Sequence, residues 1–475
     1  MRATIILSFI LALGSSGFFF SSCKGKSMEG MVIITQSVGN TQNINSNTTE
    51  SGRNSIKYQL VAINPEKTGS AAKVLTSGYF SACSPEISYD AKYMLFSARQ
   101  NESDNWQIYE MNLSDSKTRQ ITNIKEDCTD PVYLPNGRIV FSKSLNQDLL
   151  KKGNSLFTCN SNGSDIKKIT FNPSTYLSSI ILKDGRILTL NTQNYKDIPK
   201  SRLIVLRPDG TKAELFYNGE NGSSLLNGAS ETDDGKIVFI ESEKEGTNKG
   251  DIVSINYNRP LHTRMNLTAE LKGNFKAVLP LHPGKLLVSC KPSESDHYSL
   301  YEFDTDKRVL GNTIYSNAEN DVLEAVLIKK HDRQKKLPSE VDMGVKTGLL
   351  FCQNINILNP YSEPNSNIPA KSSRIEVIGI DSTMGTINVE KDGSFYVKVI
   401  ADTPFRIQTI DEKGKVINGP CDWIWLRPNE RRGCVGCHED PEIVPDNMVP
   451  FSVKKAPVSV PVHINKVVEK KISLE

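Results

Sequence analysis

The chain predicts an all-β protein, a six-bladed β-propeller followed by a small C-terminal β domain. Three observations carry this. A turn followed by an apolar strand returns five times, with its turn positions Ala91, Gly137, Gly185, Gly235 and Gly284 spaced 46, 48, 50 and 49 residues apart. The two ends of this region are complementary half-units. Beyond them, a further run of short strands is divided by Gly/Asp turns such as Lys391-Asp392-Gly393 and Glu412-Lys413-Gly414. Propeller blades produce such a period.

In chain order, Ile5 to Phe20 is an apolar run behind Arg2, short for a membrane span, and it reads as a secretory signal over 1–22. It ends Phe20-Ser21-Ser22-Cys23, which resembles a bacterial lipoprotein cleavage box with Cys23 as the lipid-bearing residue. The expected location is the periplasmic side of the cell envelope, lipid-anchored, with the outer membrane preferred. Residues 23–54 are rich in Ser, Asn, Thr and Gly and read as a flexible tether. Within them, Met31 to Ile34 is a short apolar patch, an edge strand at most, and it is counted with the tether.

Residues 55–330 form the expected propeller. Each repeat places Gly or Asn-Gly where a tight hairpin turn needs positive φ, as in Asn136-Gly137 and Asp184-Gly185. The strand that follows is continuously apolar, as in Tyr93-Met94-Leu95-Phe96, because blades bury both faces of their central strands. Ile56 to Thr76 matches the outer half of a blade and Asp321 to Ile328 an inner strand. Together they complete a sixth blade and leave no open sheet edge. Lys329 to Met343 is charged, holds Pro338 and reads as a connector. Residues 331–420 then carry strands at Gly348 to Phe351, Ile375 to Gly379, Gly385 to Val389, Gly393 to Val399 and Phe405 to Thr409, a sandwich-like unit.

The segment 421–475 carries the chemistry. Arg431-Arg432-Gly433-Cys434-Val435-Gly436-Cys437-His438 contains C-x-x-C-H, the attachment motif of a c-type haem. Two thiols at this spacing add to the two vinyl groups of one porphyrin, and His438 supplies an axial nitrogen. Half of a zinc site is the second reading, although no other C-x-x-C completes four ligands. A redox thiol pair is the third, although no βαβ pattern surrounds it. One covalent haem c is therefore expected on Cys434, Cys437 and His438, with His463 or Met448 as candidate distal ligands. Only 37 residues follow His438, too few to wrap a porphyrin, so the group must lean on the β domain, the propeller or a partner. Trp423 and Trp425 stand just upstream, as core or as porphyrin cover. Arg427, Arg431 and Arg432 are either propionate partners or solvated charges.

A formal charge of +3 over 475 residues gives no nucleic-acid footprint. The partners expected instead are a redox protein and, through the lipid, a membrane. Nine cysteines are too sparse for a disulfide scaffold. Pairings among Cys83, Cys128, Cys159, Cys290, Cys352 and Cys421 stay open, including one between Cys83 and Cys128, each placed just before a proline in neighbouring blades.

The segment from Ser84-Pro85 through Thr122 resembles the TolB-like, or PD40, propeller repeats. The ring, the β domain and the run Arg431 to Glu439 together resemble the hydrazine synthase alpha subunit family, over about Ile56 to Pro445. Asp127-Cys128-Thr129-Asp130-Pro131 with Leu134 to Phe141, and the haem segment, carry the densest likeness. The resemblance implies a propeller followed by a haem-bearing C-terminal part. That family's enzyme carries two c-type haems in this subunit and works with other subunits, whereas this chain holds one C-x-x-C-H. The expected function is an exported monohaem cytochrome lipoprotein that transfers electrons, with the propeller as docking scaffold. A haem redox enzyme acting on a small, nitrogen-containing compound is the first alternative. A binding propeller with structural haem is the second.

Overall fold

A computed structural model describes residues 28–39, 56–67, 69, 71–145, 153–193, 201–220, 222–244, 247, 249–357, 372–436, 442 and 447–461. Eight antiparallel or mixed sheets account for nearly all of its regular structure. Six of them are the blades. Blades II, III, IV and VI each run outward through four consecutive strands, beginning with inner strands Ser81–Ile87, Cys128–Tyr133, Ser174–Ile181 and Asn274–His282. Blade V has a broken inner strand, Ser224–Leu225 and Ser230–Glu231, both paired with Lys236–Ser242. The second strands are buried on both faces, Met94, Leu95 and Phe96 each at 0% exposure, which explains their unbroken apolar runs.

Blade I closes the ring and corrects the sequence reading. Its order is Val322–Leu327, Val32–Val38, Lys57–Ile63, Lys73–Val74. The stretch 23–54 is therefore not all tether. Val32 to Val38 pairs with Lys57–Ile63 on one side and Val322–Leu327 on the other. Val32, Ile33 and Ile34 are completely buried, so the apolar patch is the middle of a sheet. Alternation was no guide here, because a strand covered on both faces shows none.

The inner strands carry a polar collar. Ser84, Asp130 and Ser178 adopt positive φ (53°, 52° and 49°) at bulges in the ladders of blades II, III and IV. The collar is cross-linked between blades. Ser84 Oγ donates to Asp130 Oδ1 at 2.8 Å, and Ser178 N to Oδ2 at 3.2 Å. Glu324 of blade I accepts from Ser84 N at 3.1 Å and from Thr35 Oγ1 at 2.7 Å.

After blade I the connector crosses the end of the ring. His331 N bonds Tyr89 O on blade II, and Lys335 N bonds Lys183 O on blade IV. The chain then builds a two-sheet sandwich. One sheet is ordered Arg431–Gly436, Thr347–Asn354, Phe395–Ile400, Val458–Val460, and the other Thr383–Asn388, Arg374–Ile378, Arg406–Ile410, Val416–Asn418. Leu350, Cys352, Val397 and Val399 of the first sheet and Ile375, Val377 and Ile407 of the second share one core. The segment 421–475 is thus no separate unit, since it lends the sandwich two edge strands. Both pair in parallel, Arg431–Gly436 with Thr347–Asn354 and Val458–Val460 with Phe395–Ile400.

Candidate functional site: the edge strand that leads into the C-x-x-C-H motif

Cys434 lies on the edge strand Arg431–Gly436, in register with Cys352. Cys437 and His438 follow it outside the described residues, as do His463 and Cys23. The Cys434 side chain is half-buried against the rim of the sandwich core, where Met384, Val389, Cys421 and Ile424 also pack. Burial raises its thiol pKa, with the Arg432 guanidinium opposing, so it stands protonated. Cys421, beside it, is pushed up to about 12, mainly by burial. A thiol on an apolar rim, at a strand edge that no other described strand covers, is where a covalently held porphyrin would find apolar shelter for one edge. On this observation the residues fit a covalent haem.

The strand is held in place by one carboxylate. Glu430, immediately before it, has a side chain with no exposed surface. It accepts from Arg427 N at 2.7 Å, Lys212 N at 2.8 Å, Arg432 Nε at 3.0 Å and Arg432 Nη2 at 2.7 Å. Lys212 belongs to the blade IV turn that contains Gly210. Gly210 sits at φ +83°, where an added Cβ would run into the Ile169 carbonyl of blade III and the Arg427 side chain. The turn can approach so closely only because it lacks that carbon.

Arg427 and Arg432 are therefore committed elsewhere, which corrects their reading as propionate partners or solvated charges. Arg427 bonds Asp402 Oδ1 at 2.5 Å and Asp209 O at 3.0 Å, and lies 4.7 Å over the Phe171 ring. Arg432 also reaches Ala213 O at 3.1 Å. Arg431 is exposed. Trp425 is 2% exposed and enters the seam of blades III and IV, packing with Leu134, Val140, Tyr176, Ile187 and Leu206. Trp423 lies under the Arg406 guanidinium at 5.4 Å. Both tryptophans are buried packing groups, Trp425 of the surface between sandwich and propeller and Trp423 beside Arg406.

Past the motif, the chain returns to the propeller at Glu442. Its carboxylate accepts from Leu261 N at 2.8 Å and Arg259 Nε at 3.4 Å, and lies 3.9 Å from His262 Nε2. These three residues form the blade V turn between Asp251–Asn256 and Met265–Asn266. No sequence signal pointed to that turn, because its residues carry no motif of their own. Met448 is described, and 48% exposed.

Among the described residues no disulfide joins any two of the seven cysteines. Cys83 and Cys128 are buried in separate clusters and do not form the pair considered above. Among the described residues no group of three or more His, Cys, Asp or Glu is arranged to hold a metal ion. No helix of the described residues is long and apolar enough to cross a membrane.

Residues 322–439 match the family model for the hydrazine synthase alpha subunit middle domain. Hydrazine synthase subunit alpha of Kuenenia stuttgartiensis is 22% identical, over 77% of this chain and 61% of that protein. The chain thus spans about three-fifths of that relative's length. The solved Kuenenia stuttgartiensis hydrazine synthase has the same fold, with a TM-score of 0.75 at 19% identity over 90% of this chain and 71% of that one. TolB from Acinetobacter baumannii is 15% identical, over 62% of this chain and 66% of that one, with a TM-score of 0.44.

Proposed function

We propose that this chain, which is hydrazine synthase alpha-like in its sequence and fold, is an exported, lipid-anchored c-type cytochrome. One haem is attached through Cys434 and Cys437, with His438 as proximal ligand and Cys23 as the lipidated residue. The bound group supplies a one-electron couple. The chain's own residues do the rest. Glu430 fixes the start of the edge strand, the sandwich rim gives the porphyrin an apolar shelf, and the propeller offers a docking surface for a redox partner. The observation that carries this reading is Cys434, half-buried on that rim and one step from the remainder of the motif.

A haem enzyme is the second reading, favoured by the similarity to a protein named for hydrazine synthesis. One experiment separates the two. The full chain is made in cells equipped for c-type haem maturation, and its intact mass and absorption spectrum are recorded. Added tetrapyrrole mass with a low-spin ferrous spectrum indifferent to carbon monoxide supports electron transfer. Rapid carbon monoxide binding supports the enzyme. A colourless chain with no added mass removes both.

A further inference from the structure

The connector between ring and sandwich carries a dense run of positive charge. Lys329, Lys330, Arg333, Lys335 and Lys336 stand within eight residues, against one acid, Asp332. Such a run ordinarily belongs to a solvated linker with no fixed path. This one is a strap, fastened to the ring along its length. Ile328 N bonds Met31 O at 2.8 Å just before it, His331 N bonds Tyr89 O at 3.1 Å, and Lys335 N bonds Lys183 O at 3.3 Å. Just after it, Glu340 N bonds Asp209 Oδ2 at 2.7 Å. The Tyr89 ring packs with the His331 ring at 5.1 Å and the Arg333 guanidinium at 5.1 Å, and its hydroxyl donates to Tyr133 O of blade III at 2.8 Å. Gly185 seats the strap on blade IV, because a Cβ there would run into the Lys335 carbonyl.

The fastened backbone holds the cations in a row of at most about 25 Å. All five are exposed. Lys330 lies 3.7 Å from Glu29, while Lys329, Lys335 and Lys336 have no ion-pair partner among the described residues. The acids of the neighbouring turns are already matched, Asp90 with Lys92 at 3.6 Å, Asp184 with Arg186 at 2.5 Å and Asp234 with Lys236 at 3.0 Å. The row is therefore a surplus of positive charge.

Its place in the fold says what can reach it. The strap lies on the turns between the first and second strands of blades II and IV. The blade IV turn that holds Glu430 of the sandwich joins the third and fourth strands, so it lies at the same end of the ring. The row thus forms a floor beside a domain that projects from it. A flat bilayer meets the sandwich before it reaches such a floor, whereas a protruding protein surface can enter.

We propose that the row Lys329, Lys330, Arg333, Lys335 and Lys336 is the docking site for an acidic protein surface. The proposal rests on the reading of the propeller as a docking scaffold and deepens it, since it names the face used and the charge of the partner. A row already fixed in place needs no ordering on binding, and clustered charge steers an opposite partner to it.

The test measures binding of the full chain to an acidic plant-type ferredoxin by titration calorimetry, with a basic mitochondrial cytochrome c as the probe of opposite charge. The strap variant is Lys329→Glu, Lys335→Glu and Lys336→Glu together. A second triple, Lys73→Glu, Lys244→Glu and Lys413→Glu, makes the same change in net charge at exposed lysines elsewhere. A third replaces the three strap lysines by glutamine and carries the test if charge reversal disturbs the fold, which circular dichroism checks. The unsubstituted chain should bind ferredoxin and not cytochrome c at about 0.01 M ionic strength, and at least about tenfold more weakly at about 0.15 M, as screening shortens from about 30 Å to about 8 Å. At the lower ionic strength the strap reversal should weaken binding at least about tenfold and the glutamine triple less, while the relocated triple should bind as the unsubstituted chain does. Ferredoxin binding that survives the strap reversal overturns the proposal. So does equal loss in both glutamate triples, which reports net charge alone, or no binding by the unsubstituted chain. Strap-dependent binding to phosphatidylcholine vesicles containing phosphatidylglycerol, with none to ferredoxin, overturns it in favour of a membrane surface. Binding is read without the haem, so a colourless chain that still binds through the strap removes electron transfer and leaves the docking face standing.

Discussion

At the residue scale, two carboxylates behave in opposite ways. Glu430 has four donors and no contact with water. Replacing it by alanine strands the Arg432 guanidinium and two backbone N–H groups in the interior. Removing one partner of such a buried pair costs about 3–5 kcal/mol. Glu430→Ala should therefore lower the urea midpoint and make the sandwich sensitive to protease, while Glu430→Gln retains part of the loss. Glu86, on the inner strand of blade II, is instead burdened by its setting, as burial pushes its carboxyl from 4.5 up to about 8. Between those values the unfolded chain has released the proton and the folded chain still holds it. The native state binds more protons there, so stability falls as pH rises from about 4.5 to about 8. Glu86→Gln removes that slope. Its stability relative to the unsubstituted chain should climb steadily from pH 5 to pH 8, measured by denaturation at each pH.

The strand Val32–Val38 is the element on which the ring depends. Truncating a fully buried aliphatic side chain there leaves a void that neighbouring strands on both sides cannot fill. Ile34→Ala should cost about 2–5 kcal/mol. Ile34→Asp should prevent closure, read as an expanded radius by small-angle scattering. The same strand shows what the sequence could and could not reveal. Five blades were legible because a glycine or aspartate turn at a regular interval has a local cause, the positive φ of a hairpin. Val32–Val38 was not, because a strand between two neighbours has no alternation, and its pairing partners Lys57–Ile63 and Val322–Leu327 stand far apart in the chain. The site divides along the same line. Spacing alone singles out Cys434, and the structure adds its place on the sandwich edge. The roles of Arg427 and Arg432 were not, since they depend on Asp209, Ala213 and Asp402, which no sequence pattern joins to them.

At the scale of the whole molecule, the sandwich and propeller are one body at blades III and IV. Trp425 is the plug, and Arg202 adds an ion pair to Asp422. Truncating a buried tryptophan typically costs about 3–5 kcal/mol. Trp425→Ala should fall mainly on the docking surface and leave the ring intact. Calorimetry should then resolve two transitions in place of one, with the sandwich melting first.

The closing blade also governs when this protein can become native. Its second strand precedes every other described strand in the chain, and its innermost strand follows all the other blades. A partly synthesised chain therefore has a gap that nothing else in it can seal. The early segment can pair with Lys57–Ile63 on one side but must wait, its other edge open, until the late strand emerges, so the ring seals only when its last strand has been made.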